Sequence, residues 1–186
     1  MNGRPTDLLA PLERLSAVVG SNSDLVQAAG GNTSLKHGGR MWIKASGTWL
    51  AHAAARDIMV PVRLAPLLDA LAADAPFAES CADFVDRDLA SGGLRPSIET
   101  TMHAVLSDPV VVHVHCVDTI AWAVRSDAAA HLAPLLAGLP WAFVPYRRPG
   151  LPLTREILNV TTPETKVFVL GKHGLVVSGQ TVEGRF

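Results

Sequence analysis

The sequence predicts an α/β protein built on a mixed or mostly antiparallel sheet covered by helices. Three observations carry this. Strand-like and helix-like segments are interspersed without strict βαβ alternation. Two glycine-bearing turns, His37-Gly38-Gly39-Arg40 and Gly171-Lys172-His173-Gly174, each sit between short apolar runs and read as hairpins. The run Val-Val-Val-His-Val-His-Cys-Val-Asp-Thr, residues 110–119, reads as a buried strand entering a helix.

Taken in order, residues 7–19 carry Leu8, Leu12, Leu15, Val18 and Val19 at a helical period. Residues 20–24 form a turn. Residues 25–29 run into Gly30-Gly31-Asn32-Thr33-Ser34, where two glycines and an asparagine mark a tight backbone excursion. Leu35-Lys36 and residues 41–44 flank the first hairpin turn. Ala45-Ser46-Gly47-Thr48 is a loop, and residues 58–62 a strand. An amphipathic helix is expected over 64–73 and another over 80–89, with a break at Ser91-Gly92-Gly93.

Pro96-Ser97 opens a helix over 98–106 with Ser97 as its N-cap. Asp118 caps a helix over 119–124. Residues 129–136 are helical, 141–145 a short strand and 154–158 a short helix. The second hairpin pairs 166–170 with 175–178. No repeat, low-complexity tract or internal linker divides the chain, so one domain over 1–186 is expected.

Composition narrows the class. At 186 residues and 48% apolar content the chain can bury a substantial core. The net charge of −1, without a basic run, predicts no nucleic-acid partner and no attraction to an anionic membrane. Cys81 and Cys116 stand in unrelated contexts and give no disulfide framework, which fits a reducing, cytoplasmic setting. The N-terminus carries Arg4, Asp7 and Glu13 and no continuous apolar stretch, unlike a signal peptide. Residues 128–146 lack formal charge, but Pro134, Pro140 and Pro145 interrupt them, so no membrane span is expected.

Alternation on a strand points His113 and His115 the same way, either as two ligands of one metal ion or as two histidines sharing a face by chance. His173, at a glycine-flanked turn between apolar strands, is a third candidate ligand or a surface turn residue. Three histidines around zinc leave an open position for water or substrate oxygens. Glu99 lies in the first turn of the helix after Pro96. It either complements the helix dipole or moves a proton near the metal. His103, four residues on, is a fourth ligand, a proton partner or a helix-packing residue. Gly31-Asn32-Thr33-Ser34, the segment from Lys44 to Gly47, and Ser97 are short polar stretches suited to turn chemistry or to anion binding. Neither glycine-rich stretch fits a dinucleotide fingerprint or a Walker loop.

In this order, Gly31-Asn32-Thr33-Ser34, Ile43-Lys44-Ala45-Ser46-Gly47, Pro96-Ser97-Ile98-Glu99 with His103, His113-Val114-His115 and His173-Gly174-Leu175 resemble the class II aldolase/adducin family. The wording is closest to the aldolase domain of rhamnulose-phosphate aldolase/dehydrogenase fusions. The resemblance implies a three-layer α/β/α fold with a central, mostly antiparallel sheet, and a homotetramer with active sites between subunits. It implies zinc or another divalent metal on His113, His115 and His173, and Glu99 as the acid/base at that metal. Asn32, Ser46, Gly47 and Ser97 would line a phosphate pocket, with Lys44 at its rim.

The implied activity is retro-aldol cleavage of a ketose phosphate through a metal-stabilised enediolate. The alternatives are a sugar-phosphate epimerase, dehydratase or decarboxylase, the last acting on a related hydroxy-acid, or a non-catalytic adducin-like module. Two departures stand out. Ile98 replaces a second serine and Lys44 a small polar residue. In addition, only residues 179–186 follow the last strand, a short tail for this family.

Overall fold

The computed structural model describes residues 3–183. The last residues of the expected tail, 184–186, lie outside the described residues. The chain runs α1 (Thr6–Gly20), β1 (Asn32–His37), β2 (Arg40–Lys44), β3 (Met59–Arg63), α2 (Leu64–Ala72), α3 (Thr100–Val105) and β4 (Val110–Val114). It continues through α4 (Val117–Ala123), α5 (Ala128–Leu135), β5 (Trp141–Val144), α6 (Leu151–Val160), β6 (Val167–Leu170) and β7 (Gly174–Gly179). The strands form one seven-stranded sheet in the order β3-β2-β1-β4-β7-β6-β5. Every neighbouring pair is antiparallel except β5–β6, which is parallel.

Strand alternation gives the sheet two apolar faces, and each is covered by helices. Met41, Ile43, Val62, Val111, Phe168 and Val176 pack under α2, α3 and α6. Leu35, Trp42, Met59 and Val110 pack against Leu9 and Leu12 of α1, and Val169 against α4 and α5. The result is the expected α/β/α sandwich, with β4 at its centre. No helix among the described residues is long and apolar enough to cross a membrane.

Several elements differ locally from expectation. The excursion at Gly30-Gly31 ends at Gly31, whose φ is +61°, and Asn32 to Ser34 are already β1, paired with β4. On α1 the buried residues are Leu9, Leu12 and Ser16, while Leu8 and Val18 are exposed. The Ser16 hydroxyl is drawn inward by Thr33 Oγ1 at 2.7 Å.

Residues 80–89 do not form an α-helix. One 3-10 turn over Cys81–Phe84 leads to a bridge between Val85 and Val62, and Asp86 meets Arg40 at 2.6 Å. This segment covers the β3 edge instead of coiling. The helix expected from residue 98 begins at Thr100, and Ser97 is not its N-cap. The Ser97 hydroxyl instead accepts the Glu99 N–H at 3.2 Å, and its carbonyl accepts the Thr100 N–H, forming a side-chain-stabilised turn. Asp118 does not cap α4 but sits inside its first turn, because the helical bonding begins earlier, with the Cys116 carbonyl accepting the Ile120 N–H. The helix expected over 154–158 extends over Leu151–Val160, starting at Gly150 with Pro152 in its first turn.

Asp108 fixes the sheet at the start of β4. Its carboxylate accepts from Lys166 Nζ (2.8 and 2.9 Å), Ser178 Oγ (2.7 Å) and Gln180 Nε2 (2.7 Å), and its carbonyl accepts from Lys36 Nζ (2.8 Å). β1, β4, β6 and β7 are thus tied at one end. Burial alone would push the Asp108 carboxyl up. The Lys166 and Ser178 hydrogen bonds outweigh burial and hold it below the ordinary aspartate value. A lowered carboxylate contributes stability above its unfolded pKa and loses it as pH falls through the folded value. Asp108→Ala should cost about 3 kcal/mol at neutral pH, the lower end for a broken buried ion pair, and less in acid. Urea unfolding of both proteins at the two pH values measures this. Equal midpoints at neutral pH would exclude the role.

Candidate metal centre and active site

The alternation of β4 sends Val110, Val112 and Val114 toward α1 and the segment carrying Val26 and Leu50. Val111 and His113 point toward α3 and α6. His113 is fully buried, and its Nδ1–H donates to the Leu175 carbonyl of β7 at 3.0 Å. That bond leaves Nε2 as the lone-pair nitrogen facing the end of the sheet. His115 lies one residue beyond β4. Gly30 presses on its ring, and a Cβ there would come within 2.9 Å of His115 Nδ1.

His173 stands in the β6–β7 turn, and Gly174 lets that turn approach β4. A Cβ on Gly174 would come within 2.2 Å of the Val114 carbonyl oxygen. The three rings are 4.9, 5.0 and 5.2 Å apart between centroids, and one nitrogen from each lies within 4.8 Å of the others. Burial, followed by the neighbouring His173 and His115, pushes His113 down to about 4 despite the Glu99 carboxylate. His113 is therefore neutral at neutral pH. Burial lowers His115 as well.

Glu99 closes the cluster from the turn before α3. Its Oε2 is 3.4 Å from His113 Nε2 and its Oε1 is 3.3 Å from His173 Nε2. Burial alone would raise this carboxyl. The imidazoles of His113 and His173 and the Asn32 amide hold it below the ordinary glutamate value.

Glu99 Oε1, His113 Nε2, His115 Nε2 and His173 Nδ1 are all buried without a hydrogen-bond partner. Lone pairs of a neutral histidine and a carboxylate facing one another repel unless a cation or proton lies between them. The donor set of three imidazoles with a carboxylate alongside fits a divalent transition metal, zinc foremost.

Behind Glu99 lies a second row of buried polar groups. Asn32 Nδ2 donates to Glu99 Oε2 at 2.7 Å and to Ser97 Oγ at 3.2 Å. Asn32 Oδ1 meets His103 Nε2, and His103 Nδ1 meets Ser34 Oγ at 2.8 Å. His103 points into this row and is not among the three clustered histidines. Burial, followed by His113 and Lys36, lowers its pKa well below the ordinary value.

The other sequence candidates lie near the Glu99 turn. Ala45 bridges Pro96, and the Ser46 N–H donates to the Arg95 carbonyl, so the exposed Ser46-Gly47 turn lies beside the Ser97 turn. Lys44 is buried, with Nζ on the Ala29 carbonyl at 2.7 Å. Burial lowers it to about 8, opposed in part by Glu99. Ile98 is 53% exposed at the same turn. Sequence reasoning missed Ser34 as the partner of His103. The signal was present, because Asn32 and Ser34 alternate onto one face once residues 32–34 are read as strand.

The chain is similar to several known proteins. The model of the family described as "Class II Aldolase and Adducin N-terminal domain" matches residues 15–184. A protein of Bacillus subtilis (strain 168) named "Uncharacterized oxidoreductase YuxG" is 32% identical over 180 residues, covering 90% of this chain. The chain spans only 26% of that relative's length. The N-terminal class II aldolase domain of a conserved protein from Thermoplasma acidophilum is 26% identical with a TM-score of 0.79, over 98% of this chain and 88% of that one. L-fuculose-1-phosphate aldolase from Thermus thermophilus shares the fold at 16% identity and a TM-score of 0.59, over 97% and 83% of the two chains. With the family match extending over nearly its whole length, the chain belongs to the class II aldolase and adducin family.

Proposed function

We propose that this chain is a zinc-dependent aldolase that cleaves a ketose phosphate reversibly into dihydroxyacetone phosphate and an aldehyde. The observation that carries the reading is the Glu99 carboxylate, buried and facing three inward histidines with its Oε1 unpaired. A solved structure of the same fold is L-fuculose-1-phosphate aldolase, which supports a sugar-phosphate substrate. His113, His115 and His173 would hold the metal. When bound, such an ion supplies Lewis-acid polarisation of a carbonyl and an adjacent hydroxyl oxygen of the substrate.

The chain's own residues supply the rest. Glu99, held as a carboxylate, takes a proton from the donor carbon in the direction of synthesis. In cleavage the hydroxyl on the acceptor carbon loses its proton to water as the bond between donor and acceptor carbons breaks and the aldehyde departs, and Glu99, having taken up a proton from water, delivers it to the donor carbon. The substrate's anionic end would meet Ser97, Ser46 and the Gly47 turn, with Lys44 supplying positive charge beside them. The Asn32 side chain belongs to the Glu99 wall of this pocket, because both its amide hydrogens are already donated internally.

The buried ammonium of Lys44 favours one second reading, a decarboxylase-type substrate carrying a carboxylate. An adducin-like module without catalysis has no use for a buried carboxylate aimed at three histidines. Cytoplasmic location and a homotetramer with sites between subunits complete the proposal.

Glu99→Gln should keep zinc and most substrate binding yet lose turnover by roughly 10²–10⁴-fold. Exchange of the donor-carbon proton of dihydroxyacetone phosphate in heavy water isolates this step, because no aldehyde is needed. Exchange at the wild-type rate with zinc in place would remove Glu99 from the acid/base role.

Protein purified without chelator should contain stoichiometric zinc or a similar divalent ion by elemental analysis. His113→Ala should abolish it, and failure of the wild type to bind added zinc would overturn the metal assignment. Light scattering at micromolar concentration should find a tetramer, and a monomer would count against sites shared between subunits.

A further inference from the structure

A fully buried histidine that ligates nothing demands an account. His103 is 0% exposed, and a buried polar ring costs free energy unless both nitrogens are satisfied. Both are. Nε2 meets Asn32 Oδ1, and Nδ1 meets Ser34 Oγ at 2.8 Å.

An amide oxygen only accepts, so the bond to Asn32 requires the His103 proton on Nε2. Nδ1 is then the acceptor, and the Ser34 hydroxyl must donate. The order of donors along the row follows without a free choice: Ser34 to His103, His103 to Asn32, Asn32 to Glu99. Asn32 is fully committed. Its oxygen is held by His103, and its two amide hydrogens reach Glu99 Oε2 at 2.7 Å and Ser97 Oγ at 3.2 Å.

We infer that His103 is a positioning residue for Glu99, acting through Asn32: its Nε2–H fixes the amide orientation that presents N–H, not C=O, to the carboxylate. Without that donor the Asn32 side chain can turn over. An amide oxygen would then face Glu99 Oε2, and the carboxylate would lose its one internal donor and its fixed aim at the histidines. The inference rests on Glu99 being the proton-transferring group. It also reassigns Asn32 from contact with the substrate's phosphate to support of that carboxylate. Ser97 keeps the role Asn32 loses, because its oxygen accepts from Asn32 and from the Glu99 N–H while its own O–H stays free to donate outward.

Two measurements test this on the intact, zinc-supplied protein. Long-range proton–nitrogen NMR of histidine-labelled protein reads the His103 tautomer directly and needs no activity. The expected result is a neutral ring protonated on Nε2. A proton on Nδ1, or a charged ring at neutral pH, overturns the donor order and the inference with it.

The second measurement compares His103→Gln with His103→Leu. Glutamine can still donate to Asn32 Oδ1, whereas leucine fills the space and donates nothing. His103→Leu should lower kcat by roughly 10–100-fold, the range for groups that orient others, with KM and zinc content little changed. His103→Gln should restore most of that loss. Equal kcat in the two variants, or a loss confined to KM or zinc, overturns the positioning role. If wild-type protein exchanges no proton of dihydroxyacetone phosphate, the proposed activity is what fails. The tautomer then still decides the donor order on its own.

Discussion

The register of β4 between β1 and β7 is the constraint on which the site depends. Asn32 pairs with His113, and His113 with Val176, so one row across three strands carries the site's floor. A slip of one residue would turn His113 to the opposite face and bring Val112 or Val114 in its place. Two devices at opposite ends of β4 oppose such a slip. At the start of the strand Asp108 binds partners from the residue before β6, from β7 and from the residue after β7. At its far end the backbone of Gly174 lies against Val114, a separation that admits no side chain. Two backbone segments can thus bring one nitrogen from each of three imidazoles within 4.8 Å of the others without a disulfide.

Holding those imidazoles and a carboxylate together in a buried space is electrostatically unfavourable. Each would repel the others' lone pairs in a medium of low polarity. The surrounding hydrogen bonds offset part of this from outside. The Leu175 carbonyl holds the outward nitrogen of His113, and Asn32 holds one Glu99 oxygen. The inward atoms remain unpaired. The pattern is one-sided. Outer atoms are satisfied by the protein, while inner atoms are left for something positively charged, as in metal sites whose ligands are oriented by a second row of hydrogen bonds.

How far this is legible in the sequence differs from element to element. His113 and His115 follow from strand alternation, because a period of two is set by backbone geometry and survives any tertiary context. The hairpin turns at Gly38-Gly39 and Gly171 to Gly174 are equally plain, since turn chemistry is local. The polar segment 97–99 is not. Proline followed by serine is also a helix-start signal, and only the bridge of Pro96 to Ala45 shows that the chain there finishes a strand-like pairing first. Residues 80–89 mislead for a related reason: their spacing is compatible with a helix, but the open β3 edge captures Val85 and Asp86. Asn32 to Ser34 resemble a loop because glycines precede them, and Asp108 carries no local signal at all. Its partners Lys166, Ser178 and Gln180 are remote in sequence, and only the sheet order brings them to it. The resemblance to the family supplies what local patterns cannot, the order of the five motifs.

Fold alone does not choose among lyase, epimerase and decarboxylase chemistry on this scaffold. The allocation of hydrogen-bond capacity bears instead on how an anionic substrate would be held. The Asn32 amide hydrogens are taken up by Glu99 and Ser97, so under the proposed function the substrate's anion would meet the free hydroxyl of Ser97, the exposed turn of Ser46 and Gly47, and the Lys44 ammonium. Lys44 has three donors, of which the Ala29 carbonyl takes one. Ile98, half-exposed at the turn between Ser97 and Glu99, places an apolar side chain where a hydroxyl would have added another donor. Phosphate, with several acceptor oxygens to satisfy, is best served by a ring of N–H and O–H donors. A planar carboxylate needs fewer partners and is well matched by one ammonium and one hydroxyl. Under the proposed function these groups would serve either anion, and the balance between them would turn on how many donors of the Ser46-Gly47 turn face inward when substrate is bound.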